Sequence, residues 1–444
     1  MAAGAAQSGL DPGPRERGSL ARGPSGHNRR MAQPDAPVRR WRAGASGFGL
    51  LGPAFVAAVA YVDPGNVAAN LQAGARYGYL LLWVLVVATV AAALVQYLSA
   101  KLGVATGASL PELVRDRLGT PARIAYWLQA EAIAMATDLA EVIGGAIALR
   151  LLFGVPLLAG GAITGAVSVL LLAIQDRRGQ RPFERVIIGL LTMVAAGFVT
   201  GLVVSPPSPA GVLGGLVPRF SGSDSLLLAT AMFGATVMPH VVYLHSALAR
   251  DRFGSVPPGS ARRRLLAATR MDVGLSMVLA GGVNVVMLLL AASALRGRQD
   301  VDTIEGAHAA IGAELGPVVA ALFAVALLVS GLASTSVGCY AGSVIMQGLL
   351  RRSIGLFTRR AITLIPALVA LAVGGEPTLL LVLSQVVLSF GLPFVLVPLV
   401  RLTADRSLLG ASTNRAVTTA LAWAVATAVT LLNVVLIVGA IAGG

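Results

Sequence analysis

A carboxylate, a helix breaker and an amide stand together at Asp63-Pro64-Gly65-Asn66, inside an apolar run that leads in through Ala60-Tyr61-Val62. A charge within a membrane-length apolar stretch is costly and marks a site, and a Pro-Gly pair there frees backbone carbonyls that need new partners. A bound cation could satisfy them. Asp63 offers anionic oxygen, Asn66 a neutral oxygen three residues on, and the interrupted turn its carbonyls, Ala60 among them. A second interruption, Ala235-Thr236-Val237-Met238-Pro239-His240, adds the Ala235 carbonyl and the Met238 thioether. Oxygen ligands alone suit hard ions such as Mg²⁺ or Ca²⁺. A thioether shifts the preference toward Mn²⁺, Fe²⁺ and other transition metals. An isolated membrane-span Met is ordinarily gap-filling core, but beside Pro239 and His240, facing a second broken helix, it reads as a ligand.

The elements that must position these residues are membrane helices. With 444 residues, 56% hydrophobic and 12% charged, and a mean hydropathy of +0.79, the chain is too apolar for an ordinary soluble protein and reads as an all-α polytopic membrane protein. Apolar spans fall near 48–75, 79–100, 121–149, 154–174, 186–205, 225–248, 273–295, 315–349, 361–374, 377–400 and 416–441, which is eleven, with 361–374 the shortest. The breaks at Pro64-Gly65 and Pro239 fall in spans 1 and 6. Five spans apart, they suggest two inverted five-helix halves that each begin with a discontinuous helix, about 48–205 and 225–402, with an extra helix at 416–441.

Residues 1–44 are polar, rich in Gly, Ala, Pro, Ser and Arg, and lack the apolar core of a signal peptide, so a disordered tail is expected before a transmembrane domain at 45–444. Met31 is an alternative start. Asp11-Pro12-Gly13-Pro14 nearly copies the first motif, but in this polar setting it is a turn-former. Outside the tail, one set of alternate loops carries 21 Lys and Arg against 5 in the other, which puts the tail and the basic loops in the cytoplasm and the C-terminus outside. The net charge of +14 is spread over these short loops and does not form a nucleic-acid patch. One cysteine, Cys339, allows no intramolecular disulfide. No Walker-type loop, HExxH motif or nucleophile–base spacing supports an enzyme, and nothing calls for a cofactor or an obligate protein partner.

Span 3 holds Glu131, Asp138 and Glu141, whose spacings of seven and three place them along one helix face. Carboxylates there could relay a proton from the metal site toward the cytoplasm, or serve as a static ion-pair network. Arg359 and Arg360 at the start of span 9 are natural counter-charges. His240, next to the second break, titrates near physiological pH or packs as a neutral ring. His245 lies about 140° further around an ideal helix.

Asp63-Pro64-Gly65-Asn66 in span 1 and Met238-Pro239-His240 in span 6, with the Tyr243-Leu244-His245-Ser246 continuation, make the chain resemble the Nramp (natural resistance-associated macrophage protein) divalent metal transporters, of the bacterial proton-coupled manganese type, over roughly residues 47–438. The resemblance implies a leucine-transporter-type fold in the plasma membrane and proton-coupled uptake of Mn²⁺, Fe²⁺ and similar ions by alternating access. It implies Asp63, Asn66 and Met238 as side-chain ligands, Ala60 and Ala235 as carbonyl ligands, and Gln385 as a residue that approaches the metal. It also pairs the Arg359–Arg360 couple with Asp138 and Glu141. Gly391 departs from the family pattern, where a larger residue is expected, and should loosen span 10. The rival readings are an Na⁺-coupled amino-acid carrier of the same fold, which needs no soft ligand, and a related Mg²⁺ transporter, which would replace Met238.

Overall fold

The computed structural model describes residues 52–178, 180–298 and 301–442. The expected tail, Met31 and the Asp11-Pro12-Gly13-Pro14 copy lie outside the described residues. Within them the regular elements are helices and no strand occurs. In chain order these are α1 (Pro53–Ala60), α2 (Pro64–Tyr77), α3 (Leu82–Thr106), α4 (Leu110–Arg115), α5 (Thr120–Phe153), α6 (Leu157–Arg178), α7 (Gln180–Val204), α8 (Pro209–Gly215) and α9 (Gly222–Val237). There follow α10 (Pro239–Phe253), α11 (Ser260–Ala294), α12 (Ile304–Leu315), α13 (Pro317–Leu350), α14 (Leu356–Ala372), α15 (Pro377–Ala404), α16 (Arg406–Leu409) and α17 (Ala416–Ala442). Helix stands at each of the eleven expected apolar spans. Seven helical segments among the described residues are long and apolar enough to cross a membrane, the broken run Gly222–Phe253 counting as one. Span 1 is not among them because its break leaves pieces of 8 and 14 residues, and α14 has only 17.

Both interruptions follow from proline chemistry. Pro has no N–H, so the carbonyl four residues back loses its helical partner. Before Pro64 the chain tightens through Tyr61, Val62 and Asp63, whose N–H groups donate to carbonyls three residues back at 3.0–3.2 Å; Ala60 thereby bonds to Asp63. Asp63 then restarts the helix as N-cap, its carboxylate accepting from Asn66 N. Before Pro239 the break is sharper: Met238 sits at φ 35°, ψ 102°, one of two non-glycine residues with positive φ among the described residues. Such backbone costs about 1–3 kcal/mol and persists only where its surroundings enforce it.

The two halves of span 1 are held at their far ends by carboxylates. Asp272 of α11 accepts from Gly52 N and Ala54 N at 3.0 Å each, capping α1 from 218–220 residues away. Asp302 receives Arg76 Nε of α2 at 2.7 Å, and its carbonyl accepts from Gln72 Nε2 at 2.6 Å. At the break itself Pro64 is wedged into a slot made by glycine. A Cβ at Gly144 of α5 would stand 2.1 Å from Pro64 Cβ, and one at Gly331 of α13 would stand 3.4 Å from Pro64 Cγ.

Removing the α1 cap should loosen that half-helix. Each bond to a charged acceptor contributes about 1.5–3 kcal/mol, so in a Cys339→Ser background, Asp272→Ala should raise maleimide labelling of a Val56→Cys reporter, a buried position, by about tenfold or more. Unchanged labelling would mean that α1 is held by packing alone.

Candidate metal centre

The two breaks meet at the Asn66 side chain. Its Nδ2 donates to Asp63 Oδ1 at 2.8 Å and to the Ala235 carbonyl, the one Pro239 leaves free, at 3.0 Å. Asp63 Oδ1 also accepts from Asn66 N at 2.8 Å, so that oxygen is committed to α2. Gln385 Nε2 of α15 approaches Asp63 Oδ2 at 3.4 Å, and the Gly65 backbone also acts on the carboxylate. The amide oxygens Asn66 Oδ1 and Gln385 Oε1 are buried without a hydrogen-bond partner. Asp63, Asn66, Ala235, Met238 and Gln385 are all wholly buried, and Ala60 is 1% exposed. Three buried oxygens with weak or no donors, one of them anionic, are what a cation needs and what a hydrogen-bonded core avoids. Met238 supplies a sulfur-bearing side chain in the second break, three residues after Ala235. Among the described residues no three His, Cys, Asp or Glu side chains converge as a metal site, so any ion held here has a single carboxylate and otherwise neutral ligands.

The carbonyls freed in span 1 do not all remain available for an ion, contrary to the simple expectation. Tyr61 O accepts from Asn284 Nδ2 of α11 at 2.7 Å, and Val62 O accepts from the Ser330 hydroxyl of α13. The Tyr61 hydroxyl takes part in a second chain: it accepts from Gln96 Nε2 of α3, while Gln96 Oε1 lies 2.7 Å from His245 Nδ1. Gln96, Asn284 and Ser330 escaped the sequence reading, although Gln96 and Asn284 carry the signal that exposed Asp63, a polar side chain inside an apolar span. His245 faces α3. His240 turns instead to α5, with Nδ1 3.3 Å from Thr137 Oγ1.

The acids of α5 form a ladder against α14. Arg359 Nη2 meets Glu131 Oε1 at 2.6 Å, and the fully buried Arg360 meets Asp138 Oδ1 at 2.9 Å. Arg360 also donates to Ser168 Oγ of α6 at 2.7 Å and to Thr335 Oγ1 of α13 at 2.9 Å. Breaking such a buried pair costs about 3–5 kcal/mol. The expected pairing of the arginines with Asp138 and Glu141 is thus corrected: Arg359 takes Glu131, two turns below. Among the described residues Glu141 forms no ion pair and neither carboxylate oxygen has a partner at ordinary geometry, though Arg360 and Thr335 act on it from nearby. It faces Gly338, where a Cβ would stand 3.1 Å from its oxygen, and Arg359 lies across Gly342 in the same way at 2.0 Å. Gly331, Gly338 and Gly342 strip one face of α13 so that the ladder can lie against its backbone.

Gly391 also differs from expectation. A Cβ there would meet Ile133 Cδ1 at 2.0 Å and Pro239 Cγ at 3.2 Å, so the glycine tightens α15 against α5 and the second break.

A family model described as natural resistance-associated macrophage protein-like matches residues 54–439. The chain belongs to the Nramp family. The divalent metal cation transporter MntH of Mycobacterium tuberculosis (strain H37Rv) is 64% identical over 388 residues, covering 87% of this chain and 91% of that one. Its Deinococcus radiodurans namesake is 45% identical over 386 residues, covering 86% and 88%. Among solved structures, the Eremococcus coleocola manganese transporter in complex with an aromatic bis-isothiourea substituted compound superposes with a TM-score of 0.80 at 30% identity, covering 88% of this Nramp chain and 86% of that one. MhsT in complex with L-phenylalanine, at 14% identity, has a TM-score of 0.60 and covers 89% and 99%, which shows the leucine-transporter-type fold alone. The chain is therefore a multi-pass membrane transporter and not an enzyme.

Two glycines at the centre separate packing from positioning. At Gly234 a Cβ would stand 2.0 Å from the Gln385 carbonyl and 2.7 Å from Ser389 N, both backbone, whereas at Gly65 it would meet the movable end of the Gln385 side chain at 1.8 Å. Gly234→Ala should lose monodisperse protein on size-exclusion chromatography and Gly65→Ala should retain it. Equal yields of the two variants would show that α15 yields freely to α9.

Proposed function

We propose that this chain imports divalent transition-metal ions, Mn²⁺ and Fe²⁺ among them, into the cytoplasm together with protons, by alternating access to a site between the two broken helices. The carrying observation is the pair of buried amide oxygens, Asn66 Oδ1 and Gln385 Oε1, that lack donors next to the Asp63 carboxylate, with Met238 in the second break. The metal ligands are Asp63, Asn66 and Met238, with the Ala60 and Ala235 carbonyls and Gln385 entering as the helices move. The names of relatives and of a solved neighbour, divalent metal cation transporter and manganese transporter, support the same substrate class. Eleven crossings, with the basic loops on the cytoplasmic side and the C-terminus outside, complete the reading, which follows the bias of 21 cations against 5.

Protons leave by the α5 face. Asp63 and His240 lie at the metal level, Glu141 and Asp138 continue the line along α5, and the Glu131–Arg359 pair ends it. Glu141, without an ion pair of its own among the described residues, is the member able to carry a proton without first breaking a salt bridge, whereas Asp138 is engaged by Arg360 at 2.9 Å.

Proteoliposomes test the site. Asp63→Ala should abolish Mn²⁺ uptake, and Met238→Ala should retain part of it while admitting Ca²⁺ or Mg²⁺ more readily. Normal uptake by the first variant would sink the site, and unchanged discrimination by the second would remove the role of the thioether.

Coupling is read in the same vesicles with an internal pH dye. Acid outside should stimulate Mn²⁺ uptake and acidify the lumen, and Glu141→Gln should weaken that acidification more than metal binding. A flat pH profile without lumenal acidification would make the protein a uniporter.

A further inference from the structure

The end of the bundle that carries most of the arginines holds a pair of cations that transport does not use. Lys101, the only lysine of the chain, lies near the C-terminal end of α3 and is 4% exposed. Its ammonium nitrogen stands 6.0 Å from the centre of the Tyr97 ring, one turn back on the same helix. Arg270 of α11 approaches the same ring, its guanidinium carbon 5.1 Å from the centre and its Nη2 3.4 Å from the Tyr97 hydroxyl. The two charges are close enough to act on each other.

Nothing anionic among the described residues lies between them. Lys101 donates to Asn414 Oδ1, a neutral acceptor fixed by Asn414 N on Thr403 O at 3.1 Å and by Asn414 Nδ2 on Thr403 Oγ1 at 2.9 Å. Neither cation forms a salt bridge there. Among the described residues the other acids near this end are engaged elsewhere: Glu112 and Asp251 with Arg250 at 2.5 and 2.7 Å, Asp116 with Arg115 at 2.9 Å, and Asp405 with Arg117 at 3.5 Å. Asp272, two residues beyond Arg270, caps α1. Arg263, Arg264, Arg406 and Arg415 add exposed positive charge.

A ring face attracts a cation. Two like charges on one ring, with one ammonium almost fully buried, repel and are poorly hydrated. An anion between them removes both costs. Tyr and basic side chains near the end of a membrane helix lie at headgroup level, where the abundant anion is a lipid phosphate. We propose that Lys101, Tyr97 and Arg270 bind the phosphate of an anionic phospholipid, which joins α3 to α11. Since α11 also presents Asp272 to α1, the lipid steadies the helix on which the cap of α1 depends.

The test uses the full-length protein, stripped of lipid in a neutral detergent, with thermal unfolding and native mass spectrometry as readouts. Phosphatidylglycerol should raise the unfolding temperature by about 3 °C or more and stay bound in the spectrometer. Phosphatidylcholine with the same acyl chains and inorganic phosphate should do neither. Lys101→Met and Arg270→Gln should each lose the phosphatidylglycerol gain. Arg270 is exposed, so Arg270→Gln keeps the test decisive if Lys101→Met does not fold. An equal gain in Arg270→Gln, or from phosphatidylcholine, overturns the site. A gain reproduced by inorganic phosphate overturns the lipid and puts a soluble anion in its place. None of these readouts depends on metal transport, so failure here leaves the proposed function standing.

Discussion

One side-chain amide joins the halves of this transporter. Proline at position 239 cannot occupy the Ala235 carbonyl, and the Asn66 amide nitrogen fills that place while also holding Asp63 Oδ1. The same arrangement leaves the amide oxygen of Asn66 buried without a hydrogen-bond partner. Polar atoms are left over at the two helix breaks as a candidate site, because each break satisfies part of the other and neither satisfies all of it.

Around that centre the protein keeps its irregular backbone short of water by lending side chains from the continuous helices. Asn284 and Ser330 close the carbonyls of Tyr61 and Val62, leaving the oxygens near Asp63 as the less satisfied set. The face of α13 without Cβ atoms brings Glu141 and Arg359 against backbone. Charge therefore lies close to the axis of α13 from Gly338 to Gly342, where a bulkier face would have pushed it outward.

Much of this was legible in the residues. Asp63 and Asn66 break an apolar pattern and Pro64 and Pro239 break its helices, which is visible because membrane helices otherwise tolerate few polar groups; Met238 was legible only through the Pro239 and His240 beside it. The facing of α5 was legible for the same reason, from acids at spacings of seven and three. What sequence could not supply was partner choice between helices. Arg359 takes Glu131 and leaves Glu141 without an ion pair, a matter of how far α14 slides along α5, and no periodicity encodes it. Gly391 was misjudged because a missing Cβ reads as looseness until the neighbour that fills the space, Ile133, is known. Gln96 stands in a span that otherwise looks like plain lipid-facing helix, and its role depends on meeting His245 and Tyr61 across two interfaces.

The lengths of the main helices carry one more consequence. At 34 residues each, α5 and α13 extend about 50 Å, whereas a bilayer's hydrocarbon layer is about 30 Å thick. Such helices tilt, protrude, or thicken the membrane around them, each at a small cost per ångström. The acids of the ladder stand on α5 and their arginines on the 17-residue α14, so a thickness of bilayer that favoured another tilt of α5 would act on the pairs between a long helix and a short one, through helix angle and without contact by any ligand.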